Sequence, residues 1–530
     1  MKTKNFIQRL SLFLFTALML ATPAGAQNNN EMSIGSKEDW KSFCDRVNNG
    51  ETGLNAKLTA DVDLDEVRMV GEQYSYTGTF DGQGHTLTLN WDAGEEIEIA
   101  PFQQVDGATI RNLRVKGQIT TQELRLAGLV CDAYGTTTIT GCATDVRLTG
   151  GYGSNASEAA GLVRWIDDAR VTITDCVVKG SIDDKSAWQK MAGFVYVLRD
   201  GFCSLTNCLY IGTNNAIDNG NSYTFAPEGA TFNNCYYLHT CGRKQGEPIT
   251  DDLLQTGYVT TLLQNNRTDA CHWAQVLGDT PSPYREADKA KANYVYYDTA
   301  NSRWACDNLR LTDGTALPIA LDFTAASVTY ERTISSAGIA TICLPYELPV
   351  SGFRAYSLLD NQGDKLRFKR ETGTLEAYRP YLIKADATVQ LGGTNLQVKT
   401  MTAERLKQSA GDYTLEGVIY SADNAGAAWR HAYILQRDGL FHKVNAGTPA
   451  AMVPPCRAFI TSNSATEAKA LSIAFDDDGT TTAIDAIPTD HAGAANTAPV
   501  YDLTGRYLGT TLNGLPAGVY IVGGRKVILK

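Results

Sequence analysis

ATIRNL (108–113), TTITGC (137–142), VTITDC (171–176), CSLTNC (203–208) and ATFNNC (230–235) are five renderings of one phrase. Their last residues, Leu113, Cys142, Cys176, Cys208 and Cys235, follow one another at intervals of 29, 34, 32 and 27 residues. A self-similar unit at this period marks a repeat architecture. A second marker keeps the same step: Ala-Gly-Leu-Val at 127–130 and 160–163, and Ala-Gly-Phe-Val at 192–195.

The interior of the phrase says what kind of repeat it is. Ile110, Ile139, Ile173, Leu205 and Phe232 stand three residues before the terminal Leu or Cys. Side chains on a strand alternate faces, so an odd spacing puts both inside only if a corner lies between them. The residue before the Leu or Cys is Asn112, Gly141, Asp175, Asn207 or Asn234, and these types tolerate a left-handed backbone. Each unit therefore reads as strand, corner, strand. Coils stacked about 4.8 Å apart pair each strand with its copies above and below. The expected fold is all-β: a right-handed parallel β-helix, with the Leu/Cys positions forming one inward ladder. A sandwich with chance similarity explains one marker but not two in register.

Working outward, SKEDWKSFCDRVNN (36–49) places Trp40, Phe43, Cys44 and Val47 on one helical face, with Ser36 as cap and Asp39 three residues on. LNAKLTADVDLDE then alternates as a strand. Helix and strand together would cover the open end of the solenoid. Residues 27–99 are assigned to this cap and first coil, 100–245 to the coils, and 246–290 to a helical closing segment. Residues 291–475 alternate Val, Tyr, Ile and Leu between turn signals and read as an antiparallel β-sandwich region. Within it, Asp438-Gly439 sits between two alternating runs as a hairpin turn. Residues 476–497, rich in Asp, Thr, Ala, Gly and Pro, form a linker, and 498–530 a small C-terminal β domain with Gly523-Gly524 as a hairpin turn. Asp476, Asp477 and Asp478 lack a spaced ligand set and read as a solvated turn.

Lys2, Lys4 and Arg9 precede an apolar run, Leu10 to Ala21, and Ala24-Gly25-Ala26 offers a cleavage site before Gln27. This is a signal peptide, 1–26, with Ala26 and Gln27 flanking the cut. No later run is apolar enough to span a bilayer, so the expected location is secreted or cell surface. A formal net charge of −11 argues against nucleic acid as a partner. Twelve cysteines in an exported chain raise the question of disulfides. Cys142, Cys176 and Cys208 fall on the ladder and read as packed thiols. Cys203 with Cys208, Cys235 with Cys241, and Cys271 with Cys306 remain candidate pairs.

The run DVDL … YTGTFDGQGHTLTL … ATIRNLRVKG … AGLV … TITGC resembles the GLUG-type β-helix regions of exported Bacteroidetes proteins, over about residues 33–275. The resemblance extends to TDDLLQTGYVTTLLQNN … HWAQVLGDTPSPY (250–284), with Trp273, Gln275, Leu277 and Gly278, a segment that commonly closes the β-helix in that family. It implies a surface or secreted protein of adhesive or glycan-associated type, and no catalytic residue. VYDLTGRYLGTTLNGLPAGVYIVGGRKVILK resembles the C-terminal sorting domain of the type IX secretion system through Tyr501-Asp502-Leu503, Gly505-Arg506, the run 515–522 and Lys526 to Lys530. That resemblance implies the type IX machinery as a partner.

No HExxH, G-x-S-x-G or Walker-type phosphate loop occurs. Gly151 to Ala156 fits G-x-G-x-x-A but lacks a crossover helix and reads as an inter-coil loop. None of the six histidines has metal-ligand spacing, so no catalytic, metal or cofactor residue is assigned. Cys271 and His272 are neighbours whose side chains would point apart on a strand. The preferred expectation is a non-catalytic binder of glycans or host or other extracellular proteins, with Tyr152, Trp188 and Tyr223 as loop aromatics suited to contact. The first alternative is a polysaccharide lyase or hydrolase using Asp167, Asp168, Asp183 and Asp184. The second is a structural envelope component.

Overall fold

A computed structural model describes residues 31–477, except 123–124, 154–157, 218–219, 335–337, 386–387, 421, 424–430, 446–450 and 464–467, together with 500–501, 507–509, 512, 514–516, 518–522 and 525–529. The signal segment with Ala26 and Gln27, most of the linker, and Gly523-Gly524 lie outside the described residues. The chain divides into two compact units, Met1–Ile473 and Ala474–Lys530.

The first unit begins with a parallel β-helix. Its first sheet runs Glu31–Ile34, Asn55–Leu58, Thr79–Asp81, Thr109–Arg111, Val130–Thr140, Val163–Thr174, Phe202–Thr206, Thr231–Asn233. The phrase is in register across it: Ile110 pairs with Ile139, Ile139 with Ile173, Ile173 with Leu205, and Leu205 with Phe232. The second sheet runs from Val62–Leu64 through Thr86–Asp92, Arg114–Thr120 and Ala143–Gly153 to Glu247–Pro248. A short third sheet joins Glu98–Ile99, Arg125–Ala127, Glu158–Ala160 and Met191–Ala192. Parallel pairing thus starts at Glu31, before the coils expected at 100–245.

The corners are left-handed as their residue types require: Asn112, Gly141, Asp175, Asn207 and Asn234 have φ of 52°, 62°, 55°, 51° and 53°. Leu113, Cys142, Cys176, Cys208 and Cys235 are all buried in one core. Each thiol is directed at a backbone carbonyl of the preceding coil, Cys142 at Ile110, Cys176 at Ile139, Cys208 at Ile173 and Cys235 at Leu205, over 3.5–3.8 Å. Burying each inward Ile or Leu contributes about 1.5–3 kcal/mol relative to exposure. The Ala-Gly-Leu/Phe-Val marker has a separate cause. A Cβ on Gly128, Gly161 or Gly193 would lie 2.2 Å from the carbonyl oxygen of Gly161, Gly193 or Thr224 in the next coil. Only glycine permits that approach.

The helix Lys37–Asn48 is capped by the Ser36 hydroxyl, which accepts from the Asp39 N–H. It buries Trp40, Phe43, Cys44 and Val47, and Trp40 meets Phe80 and Phe102 of the coil core edge-on at 5.9 and 6.1 Å. The segment after the coils behaves differently from the closing plug implied by resemblance. Its helices, Asp251–Leu254 and Tyr258–Gln264, pack Leu254, Val259, Leu263 and Trp273 against Ala143, Val177 and Leu209. It therefore runs along the outward flank of the second sheet, across several coils. The physical reason is that this sheet is apolar on both faces: Val177-Val178 and Leu209-Tyr210 are buried doublets, and an apolar outer face needs a cover.

The same segment opens the next region. Trp273–Val276 pairs with Tyr294–Asp298 in a sheet that continues through Arg303–Arg310, Phe323–Thr329 and Gly393–Val398, so the expected boundary near 290 falls inside a sheet. A second sheet, from Ile339–Cys343 through Pro380–Lys384 and Arg354–Gln362 to Tyr413–Val418 and Lys407–Ala410, faces it. Phe323, Ala325 and Leu396 of one share a core with Ile342, Ala355 and Ile383 of the other. This is the expected sandwich with one departure. Arg303–Arg310 and Phe323–Thr329 are parallel, their ends joined by residues 311–322, about the length such a crossover needs. The hairpin at Asp438-Gly439 pairs Leu435 with Phe441, and Gly439 takes φ 81°.

All twelve cysteines are free thiols, so none of the three candidate pairs is a disulfide. Cys271 Sγ instead lies 3.3 Å from the Tyr297 backbone nitrogen, while Cys306 is buried in the sandwich core.

The second unit contains a four-stranded antiparallel sheet ordered Tyr507–Gly509, Val500–Tyr501, Gly518–Val522, Arg525–Leu529. Val500 is fully buried, and the Tyr520 hydroxyl donates to the Pro516 carbonyl at 2.6 Å.

Candidate ligand-binding face and polar clusters

The outward side chains of the first sheet are set by the same register as the core. Gln104, Asp132, Trp165 and Val197 stand side by side on successive coils. Thr136, Arg170 and Phe202 form a neighbouring row. Trp165 has the Arg164 guanidinium 5.1 Å and the Arg199 guanidinium 5.2 Å from its ring centre. Arg170 lies 4.8 Å from the centre of Phe202, an exposed ring. Guanidinium–aromatic stacking of this kind is attractive and fixes both partners. The result is two rows of rings and cations at coil spacing, separated by the break at Gly135 and Asp168.

Beside them sits a charge network that contains none of the acidic doublets. Arg164 is 2% exposed, is paired with Asp132, and donates to Glu158 at 2.8 Å. Glu98 pairs with Arg125. The buried cation is matched by Asp132 from the preceding coil and Glu158 from its own. The signal was present in the marker: Asp132 follows Ala-Gly-Leu-Val by two residues and Arg164 by one, so stacking the markers brings them together.

The named carboxylates are not brought together. Asp167 lies on the first sheet and is clasped by Arg199, whose Nε donates at 2.8 Å; that bond holds its carboxyl below the usual range. Asp168 is an exposed left-handed residue, φ 42°. Asp183 and Asp184 lie on the second sheet. Asp183 pairs with Lys185. Asp184 is buried and accepts the N–H groups of Ser186 at 2.7 Å and Lys190 at 3.0 Å. It holds the turn that displays Trp188, whose ring is 54% exposed with Lys190 at 5.7 Å. Tyr223 is not on a projecting loop. Its backbone continues the third sheet between Ala192 and Arg243, and Arg243 stacks 5.9 Å over the ring. The side chain of Tyr152 lies outside the described residues.

At the corner row, a cleft of about 310 Å³ opens between the coils and the flanking segment, lined by Asp81, Asn112, Asp175, His272, Tyr284 and Arg285 among others. Asp175 is its centre. Arg267 donates to both carboxylate oxygens at 2.8 and 2.6 Å, and Trp273 Nε1 to Oδ1 at 3.0 Å. His272 Nδ1 lies 3.4 Å from Oδ2, and its Nε2 lies 3.4 Å from Asp269. Burial pushes the Asp175 carboxyl up, but the bonds from His272 and Arg267 outweigh it and hold it low. The Asp175 bond in turn raises the imidazole of His272. A histidine facing carboxylates at both nitrogens keeps no lone pair for proton abstraction, so this cluster fastens the segment to the coil. The side chains of Cys271 and His272 have different partners, the Tyr297 N–H and Asp175.

Among the described residues, no three His, Cys, Asp or Glu side chains converge to hold a metal ion. None of the described helices is long and apolar enough to cross a membrane. No protein-family model matches the chain, and no curated protein matches it. Among solved structures, it is similar to one described as "a putative immunoglobulin A1 protease from Bacteroides ovatus", at 11% identity and a TM-score of 0.32, over 47% of this chain and 91% of that one. It is also similar to an IgA1 protease at 14% identity and a TM-score of 0.26, over 41% of this chain and 21% of that one. Likeness at this level carries no argument about activity.

Proposed function

We propose that the chain is an exported surface or secreted protein that binds glycans or host or other extracellular proteins through the outer face of its β-helix, without turning them over. The reading is supported by Trp165, Phe202, Arg170 and Arg199, laid out at coil spacing on the outer face. Rings and guanidinium groups on a preorganised lattice suit recognition of an extended partner at low entropic cost. Asp167, beside the band, is clasped by Arg199 and held in its charged form, which leaves it a poor proton donor for glycoside cleavage. The GLUG-type and type IX sorting resemblances fit the same assignment.

The test is a screen of the purified protein against glycans and matrix proteins, alongside Trp165→Ala and Phe202→Ala. Binding that falls in both variants supports the assignment. Binding that survives both removes the face from it. Turnover of a polysaccharide, abolished by Asp132→Asn or Glu158→Gln, replaces it with the enzyme alternative. Deleting 498–530 is expected to trap the protein in the periplasm, and unchanged surface display would discard the sorting role.

A further inference from the structure

The second sheet of the sandwich curls until its edge strand, Ile339–Cys343, lies beside Arg457–Ser462. The seam is fastened at two points. Cys343 N–H donates to the Cys456 carbonyl at 3.1 Å. The Thr341 hydroxyl donates to the Ala458 carbonyl at 2.8 Å and accepts the Ala458 N–H at 3.0 Å. Next to these contacts a cavity of about 680 Å³ opens, within the range of small-molecule sites. Arg332, Arg437 and Arg457 line it, with Ile334, Ile434 and Val453 among its apolar walls, and no Asp or Glu is among its lining residues. That concentration of cations stands out in a chain of formal net charge −11.

Arg332 is the informative residue. It is 5% exposed. Its Nη1 donates to the Thr341 carbonyl, its Nε is buried with no partner, and among the described residues no carboxylate pairs with it. Burial, and then the charge of Arg457, hold its guanidinium below the ordinary value. Arg457 donates to Asp313 at 3.0 and 2.9 Å, but its own Nε is also buried and unpartnered. An unpaired buried cation opposes folding. The coil, by contrast, surrounds Arg164 with acids.

We propose that the seam cavity is a binding site for a small organic oxyanion, its acidic group held by Arg332 and Arg457 and its body resting against Ile334, Ile434 and Val453. The site is separate from the coil face and does not depend on it. A carboxylate and a sulfate offer the same paired acceptor oxygens to guanidinium groups, so both are tested.

The experiment is calorimetric titration of the full chain with glucuronate and N-acetylneuraminate as carboxylates, N-acetylglucosamine 6-sulfate as a sulfate, and N-acetylglucosamine as the neutral control. Saturable binding of at least one acidic probe but not the neutral sugar is expected. It should weaken by roughly 30-fold or more in Arg332→Met and Arg457→Met. Melting of the unliganded protein supplies a second readout. Arg332→Met is expected to leave Tm unchanged or raise it, whereas a guanidinium kept only for the fold would lower it when removed. The proposal is overturned if no acidic probe binds, if the neutral sugar binds equally, if Arg332→Met leaves affinity intact, or if that variant melts well below the parent.

Discussion

The β-helix and the sandwich both bury an arginine, and they treat it in opposite ways. In the coils, Arg164 is met by Asp132 from one neighbouring coil and Glu158 from its own approach strand. In the sandwich, Arg332 has one carbonyl and, among the described residues, no carboxylate. Stacked coils place like positions over one another, so a charge on one winding finds its complement at a fixed offset on the next. A sandwich assembled from distant strands has no such lattice. A cation left unmatched at its seam therefore signals something outside the chain. The comparison separates charges that complete the fold from a charge that waits for a ligand.

The comparison breaks most sharply at Asp132. Asp132→Ala strips Arg164 of one buried partner, leaving Glu158 at 2.8 Å and Glu98 at 3.9 Å, and is expected to cost about 3–5 kcal/mol, read by chemical denaturation. Arg332→Met is expected to cost nothing. If the two variants lose equal stability, the contrast between the regions is wrong. Gly161→Ala probes the lattice itself. Its Cβ would meet the Gly193 carbonyl at 2.2 Å and Val178 at 2.4 Å, and the clash is expected to cost about 1–3 kcal/mol, with the loss of protection in hydrogen exchange centred on the third sheet.

Reduction should matter least among the covalent perturbations. With the cysteines free and burial raising the thiols of Cys176 and Cys208 well above their usual range, dithiothreitol is expected to leave Tm unchanged. A structural disulfide would instead reveal itself by a loss of about 2–5 kcal/mol.

A small pH dependence is expected at the flank. His272 is raised in the folded state by Asp175, so the folded form holds its proton more tightly than the unfolded chain does. That contribution is complete below the unfolded value of about 6.5. It disappears as pH rises through the folded value. Exchange protection of residues 267–273 should fall over that window in the parent and stay flat in His272→Gln. An equal slope in both would clear His272 of the role.

How much was legible follows from these same residues. The corners, the ladder and the helix Lys37–Asn48 were readable because each rests on short-range stereochemistry repeated along the chain: a left-handed residue, an inward Ile, four apolar residues on one helical face. The flanking cover has its signal in Val177-Val178 and Leu209-Tyr210, apolar doublets that put one side chain on each face of the second sheet. Asp132 and Arg164 carry no adjacent-residue signal, because stacking makes neighbours of residues about thirty apart. The seam cavity had no local signature. Arg332, Arg437 and Arg457 meet only through the curl of a sheet whose strand order departs from the chain order.

The flanking segment also has a mechanical meaning. It is bonded to the coils at Arg114, Asp175, Lys179 and Asn234, and its strand Trp273–Val276 is woven into the sandwich. A force entering from the sandwich would be shared among these bonds. The solenoid would resist such tension as a braced rod, where an unbraced one would peel winding by winding.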